Sequence, residues 1–128
     1  MKFLVDTHLL IWSTINSTKL SRAARAILKD TGNECYFSSA SIWEIAIKRC
    51  CHPKEMPVSA EEAQRLFLSA GYVELPVFSR HSALVEHLPA IHSDPFDRIL
   101  VAQARSEGMH LATHDKIIPQ YGDLVVHV

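Results

Sequence analysis

Four acidic residues in this 128-residue chain stand where side chains could do chemistry: Asp6, Glu44, Asp97 and Asp115. Asp6 follows the short apolar run KFLV at 2–5, and Asp115 follows HLAT within ATHDK. An aspartate after a strand is ordinarily a turn or cap residue. Two on the same rim are more informative than either alone. Glu44 lies in SASIWEIAIKRCC (39–51), where 3.6 residues per turn place Ser41, Glu44, Lys48 and Cys51 on one stripe. A solvated Glu44–Lys48 pair at i,i+4 is the plain account, contributing roughly a few tenths of a kcal/mol. The neighbouring turns are apolar on both sides, however, and a carboxylate wedged there needs a cation or strong donors. In SDPFDRILVAQA (93–104), Pro95 fits the first helical position and makes Asp94 the N-cap. Asp97 then has no structural duty beyond a favourable dipole contribution. Its stripe continues through Leu100, Val101 and Ala104, which points inward.

These four carboxylates come from separate segments. Gathered on one rim they would repel, so the site should either raise some pKa values or hold a cation. Oxygen-only ligands favour Mg²⁺ or Mn²⁺ over zinc. One or two such ions can activate water and neutralise a phosphodiester in its transition state. They would also invert the local charge and draw a polyanion to an acidic site.

The elements that must position them alternate from end to end. Strands are expected at 2–5, 34–38, 72–75, 109–113 and 124–128. Helices are expected at 8–15, after Ser21 with Gly32 as its C′ residue, and at 39–51, stopped before Pro53. A capping box of Ser59 with Glu62 opens another that Gly71 ends. A further helix starts near Ser79, as RHSALVEHL, and the last runs from Pro95 to Gly108. This alternation predicts an α/β fold over residues 1–128, a three-layer α/β/α sandwich on a parallel sheet with right-handed crossovers. In such sheets sites form beyond the carboxyl ends of the strands.

Composition narrows the setting. With 48% hydrophobic and 21% charged residues, the chain reads as one soluble globular domain. No apolar run approaches the roughly 20 residues that span a bilayer, and MKFLVD lacks the h-region of a secretory leader. Three cysteines, two of them adjacent (Cys50, Cys51), make no disulfide framework and fit a reducing cytoplasm. The net charge of −1 lacks the basic excess usual for nucleic-acid binding, so a local patch or a bound cation must do the attracting.

FLVDTH, SSASIWEIAIK, DPFDRILVAQA and LATHD resemble the successive motifs of PIN-domain ribonucleases, closest to the VapC toxins of bacterial toxin–antitoxin pairs. The resemblance runs from residue 3 to 115 in the same order. It implies a metal-dependent endoribonuclease with an acidic Mg²⁺ or Mn²⁺ centre. On its motifs, Asp6 and Asp97 are the principal ligands and Glu44 completes the pocket. Asp115 follows a T-x-D pattern in which Thr113 is a supporting hydroxyl, and Thr7 similarly braces Asp6. It also implies a homodimer, silenced by a small antitoxin whose tail lies near the site. Lys48, Arg49, Lys54 and Arg98 are the nearest candidates for phosphate contacts, although a solvated surface charge is the ordinary account of each.

Other motifs carry less. His8, His110 and His114 lie near candidate ligands, but neighbours on an extended segment face opposite ways, so His114 should not share an ion with Asp115. No histidine ligand is expected. CCHP at 50–53 lacks the spaced pairs of a zinc site and reads as a helix end. Trp12 and Trp43 read as core or dimer-interface residues rather than stacking platforms. Two rival functions fit the same fold class. A phosphoacceptor receiver domain needs an aspartate ending its central strand, whereas the third strand candidate, YVEL, runs into Pro76. A non-catalytic binding module would keep the fold and have no use for an intact acidic tetrad.

Overall fold

The computed structural model describes all 128 residues, Met1–Val128. Its centre is KFLV. β1 (Lys2–Val5) is buried from Phe3 onward, with Phe3 and Val5 facing one layer and Leu4 the other. That two-sided burial is what a central parallel strand requires, and it explains an apolar run without polar alternation. β2 (Glu34–Ser38) and β3 (Val73–Leu75) extend the sheet on one side of β1. β4 (His110–Thr113) and β5 (Val125–His127) extend it on the other, giving the order β3-β2-β1-β4-β5. Every pairing is parallel. The chain thus starts in the middle, walks outward, and returns to the far side of its own first strand.

Helices cover both faces. α1 (Thr7–Thr14), α2 (Arg22–Lys29), α3 (Ser39–Cys51) and α4 (Ala60–Ser69) pack Leu9, Leu10, Ala24, Ile45 and Phe67 around Phe3, Val5 and Phe37. On the other face α6 (Pro95–Glu107) lays Leu100, Val101 and Ala104 against Leu4 and Leu111. The expected three-layer sandwich is therefore present. α6 begins with Asp94 accepting the Phe96 N–H at 2.8 Å and Pro95 at its first position. It ends on Gly108, whose φ of +66° is the left-handed conformation a C′ glycine supplies.

Two local expectations differ. α2 stops at Lys29 because Asp30 leaves helical geometry, and Gly32 is no left-handed C′ residue. Its N–H instead donates to Asp30 Oδ1 at 2.9 Å, a side-chain turn. The helix after Ser79 is also shorter than read. α5 (Ser79–Leu84) gives way to a 3₁₀ turn at Val85–His87, because Leu88 precedes Pro89 and must be extended. A second 3₁₀ turn, Ile118–Tyr121, had no counterpart in the sequence reading.

Candidate active site

The sheet reverses its winding between β1 and β4, where a cleft opens beyond the strand ends. Val5 pairs with Ala112, and the Asp6 N–H donates to Ala112 O at 3.0 Å. Asp6 therefore begins in register with the last residues of β4. Its side chain is only 4% exposed. Oδ1 accepts the Leu9 N–H at 2.9 Å and caps α1. Oδ2 accepts from the Thr113 hydroxyl and from the His114 N–H, the latter at 3.1 Å. Burial pushes the carboxyl above the usual range, and these donors from Thr113, Leu9 and His114 pull in the other direction. Asp6 is both a helix cap and a wall of the cleft.

Glu44 reaches the same place from the second turn of α3 and is as deeply buried. Thr7 Oγ1 donates to Glu44 Oε1 at 2.7 Å, and Lys48 Nζ sits 2.6 Å from Oε2. The cation that this wedged carboxylate needs is thus its own i,i+4 lysine. The pair is no solvated surface bridge, since only the lysine end is substantially exposed. Thr7 corrects one expectation: it braces Glu44, and lies 2.9 Å from Ser41 Oγ, rather than supporting Asp6. That support comes from Thr113, whose hydroxyl oxygen also accepts the Asp115 N–H at 3.0 Å.

Asp97 and Asp115 differ in how they are held. Asp115 is buried only in part, and that burial is outweighed by the N–H groups of Ile117 (2.6 Å) and Ile118 (3.1 Å) on Oδ1. With the His92 ring beside Oδ2, they hold the carboxyl below its usual range. Asp97 lacks such backbone donors. Burial first, then the charges of Asp94, Glu44 and Asp115, push it up to about 7, against an opposing pull from His92. Asp6, Glu44, Asp97 and Asp115 all line one cavity of about 150 Å³, with Thr7, His8, Lys48, His92 and Asp94. Carboxylates drawn from four segments converge as read, and the strain of that convergence is concentrated on Asp97.

His92 was missed. Its Nε2 lies 3.1 Å from Asp97 Oδ2 and 3.3 Å from Asp115 Oδ2, and the three form a compact group. The available signal was position alone: a histidine two residues ahead of an N-cap sits at the mouth of the same helix. Asp94, read as a cap, does cap α6 and also lines the cavity. His114 behaves as alternation predicts. Its ring packs on Trp12 at 5.2 Å and on His127 at 6.0 Å, away from Asp115.

The cations sort differently from the sequence reading. Arg98 holds protein carbonyls instead of facing the cleft. Its guanidinium donates to Val85 O at 2.9 Å, Pro89 O at 3.0 Å and the Tyr121 hydroxyl at 3.2 Å. Arg49 is spent on Met56 O at 2.6 Å. Both are corrected from phosphate candidates to structural clamps. Lys48 stays at the site, and Lys54 and Lys19 line a neighbouring groove of about 560 Å³. That groove shares His8 and Lys48 with the acidic cavity and is walled by Trp12, His52 and Met56. Trp43 is no core residue: it is 64% exposed, with its ring edge-to-face on Phe96 at 5.2 Å. Cys50 and Cys51 are exposed, free thiols at the end of α3. No helix is long and apolar enough to cross a membrane.

A phosphoacceptor role would fall to β1. The central strand is β1, not the edge strand β3, and it does end in an aspartate. That aspartate is buried with both oxygens hydrogen-bonded, so it is unsuited to attacking a phosphoryl donor.

The fold has known counterparts. A chain of the VapBC2 complex of Rickettsia felis, crystallised on a DNA fragment from its promoter, superposes with a TM-score of 0.69 at 13% identity, covering 100% of this chain and 98% of that one. A toxin–antitoxin complex from Klebsiella pneumoniae gives 0.66 at 18% identity, over 96% and 94% of the two chains. VapBC-1 of nontypeable Haemophilus influenzae gives 0.58 at 18%, over 94% and 92%. No curated protein matches the chain in sequence. The sequence model of the PIN domain matches residues 3–124, from the first strand past the second 3₁₀ turn and across all four carboxylates. The chain belongs to the PIN-domain family.

Proposed function

We propose that this protein hydrolyses RNA phosphodiester bonds with the help of a bound divalent cation, Mg²⁺ or Mn²⁺, and acts as the toxin of a toxin–antitoxin pair. One observation carries the reading: carboxylates from four separate segments line a single small cavity, and one of them, Asp97, is pushed up to about 7. A hard divalent ion is the guest that an all-oxygen donor set under such mutual repulsion accommodates best. When bound, it supplies an acidified water and a counter-charge for the phosphodiester. Asp97, Asp6 and Asp115 would hold it. Glu44 would complete the ring with its charge balanced by Lys48, which remains free on one side to face a phosphate.

The groove beside the cavity supports RNA as the substrate. Lys19, Lys48 and Lys54 bring local positive charge to a protein of net charge −1, and His8 with Trp12 offers ring surface between them. Phosphates attract such lysines without regard to sequence, while an unpaired base can lie on an aromatic ring. A binding module that only holds a partner would have no use for the strained carboxylates. The antitoxin reading is supported by likeness of fold to chains of toxin–antitoxin complexes, and a cytoplasmic setting follows from it. We also place a homodimer contact on the face where Trp43, Phe96 and Ile99 line a largely apolar groove of about 440 Å³. Exposed aromatics of this kind are common at interfaces.

Cleavage of a mixed RNA panel with Mn²⁺ tests the reading directly. Asp97→Asn should abolish cutting and relieve the growth arrest caused by expression, with the fold intact; cutting at the wild-type rate would remove Asp97 from its role. Asp6→Asn should also be inactive, but it places an amide donor beside the Thr113 and His114 donors and should lower the melting temperature as well.

The raised Asp97 pKa gives a pH test. Its folded value lies above the unfolded one, so without metal the folded state is favoured below about pH 4. That advantage is lost as pH rises through about 7. Metal requires the ionised form, so millimolar Mn²⁺ should raise the melting temperature more at pH 8 than at pH 5.5. Equal shifts at both would argue against a site containing Asp97. Replacing Lys19 and Lys54 together by glutamate should raise KM for RNA by about tenfold with little change in kcat, as loss of uniform binding does. An unchanged KM would exclude the groove. Trp43→Asp should shift sedimentation from dimer to monomer, and a wild-type protein that sediments as a monomer would remove the proposed contact.

A further inference from the structure

His92 has three conceivable parts to play beside Asp97 and Asp115: metal ligand, proton carrier or fixed donor. The hydrogen bonds on its other side decide among them. The Asp94 backbone N–H donates to His92 Nδ1 at 3.1 Å. That bond needs a lone pair on Nδ1, so the ring proton of the neutral imidazole is on Nε2. Nε2 is the atom that faces the two carboxylates. With its proton there, it has no lone pair to give an ion and none to accept a proton from water.

The backbone that carries the ring is held in place. The His92 N–H donates to the Tyr121 hydroxyl at 2.9 Å, and the Arg98 guanidinium donates to that same oxygen at 3.2 Å. Arg98 also grips Val85 O and Pro89 O, which fixes the segment leading into His92. Arg105 donates to Tyr121 O at 3.1 Å and ties down the 3₁₀ turn on which Tyr121 sits. The backbone leading into His92 is therefore clamped.

We infer that His92 is a positioning residue whose Nε2–H holds the Asp115 carboxylate against Asp97, so that the two present their remaining lone pairs to one cation without the histidine ligating it. The inference rests on the divalent-ion reading of the site. Asp115 needs such a tether because it lies in the loop beyond β4, and its other oxygen is turned toward the Ile117 and Ile118 N–H groups. Donors that orient ligating carboxylates in this way sustain roughly ten- to hundredfold of metal affinity in metal sites generally.

The full-length protein can be tested with metal alone. Long-range ¹H–¹⁵N NMR should find a proton on His92 Nε2 both without metal and with saturating Mg²⁺. Electron spin-echo modulation of bound Mn²⁺ should contain no directly bonded ¹⁴N. By titration calorimetry His92→Ala should weaken Mn²⁺ binding about tenfold or more. His92→Gln, which places an amide N–H near the position of Nε2, should restore most of it, and melting curves in chelator report whether each variant is folded. A Mg²⁺-induced switch of tautomer, a bonded nitrogen, or equal losses in the alanine and glutamine variants would overturn the inference. Undiminished Mn²⁺ binding by a folded His92→Ala protein would do the same. Wild-type protein that binds Mn²⁺ but cuts no RNA defeats the ribonuclease reading alone, whereas failure to bind Mn²⁺ defeats both.

Discussion

The site depends on burying a carboxylate where two parallel strands end side by side. Asp6 is placed there by β1 and is surrounded by donors that β4 and α1 supply. Removing a carboxylate from water is costly unless hydrogen bonds replace the lost hydration. Here the replacements come from backbone N–H groups and one threonine hydroxyl, all fixed by secondary structure. The sheet therefore does more than carry Asp6. Its register determines which donors are within reach, and Thr113 extends the same arrangement to the amide of Asp115.

Charge is distributed unequally around the cavity. Glu44 has a lysine and a threonine, Asp115 has two amides, and Asp6 has three donors. Asp97, at the mouth of α6, is left with the histidine ring and the repulsion of its neighbours. The unpaid electrostatic cost is thereby localised on one group at one helix terminus. The same crowding shapes the surroundings: Lys48 serves both the acidic cavity and the basic groove, so the two regions meet at a single side chain.

Much of this was legible in the sequence. Runs such as KFLV and HLAT have no polar alternation because both their faces are covered, and the aspartates after them mark the rim. Pro95 and Gly108 bracket α6 through backbone preferences that no tertiary contact overrides. What sequence could not supply were partners set by long-range packing. Thr7 adjoins Asp6 yet serves Glu44, because side chains on the first turn of a helix diverge from the strand before it. Arg98 sits in the DPFDR motif and looks available, but carbonyls 6 to 13 residues earlier claim it. His92 lies in a stretch without periodicity, and only its three-dimensional neighbours give it a role.

The bond between Thr113 and Asp6 joins residues 107 positions apart. The middle strand precedes the helix bearing Asp97 and its own β4 neighbour in chain order. Contacts of such separation form late, since the intervening loop entropy must be overcome before they stabilise anything. Without residues 95–115 the buried acid keeps its Leu9 donor but loses those of Thr113 and His114, and two of the four acids are missing. The four-acid cavity is thus assembled only once the chain through that stretch is present, a consequence of connectivity alone.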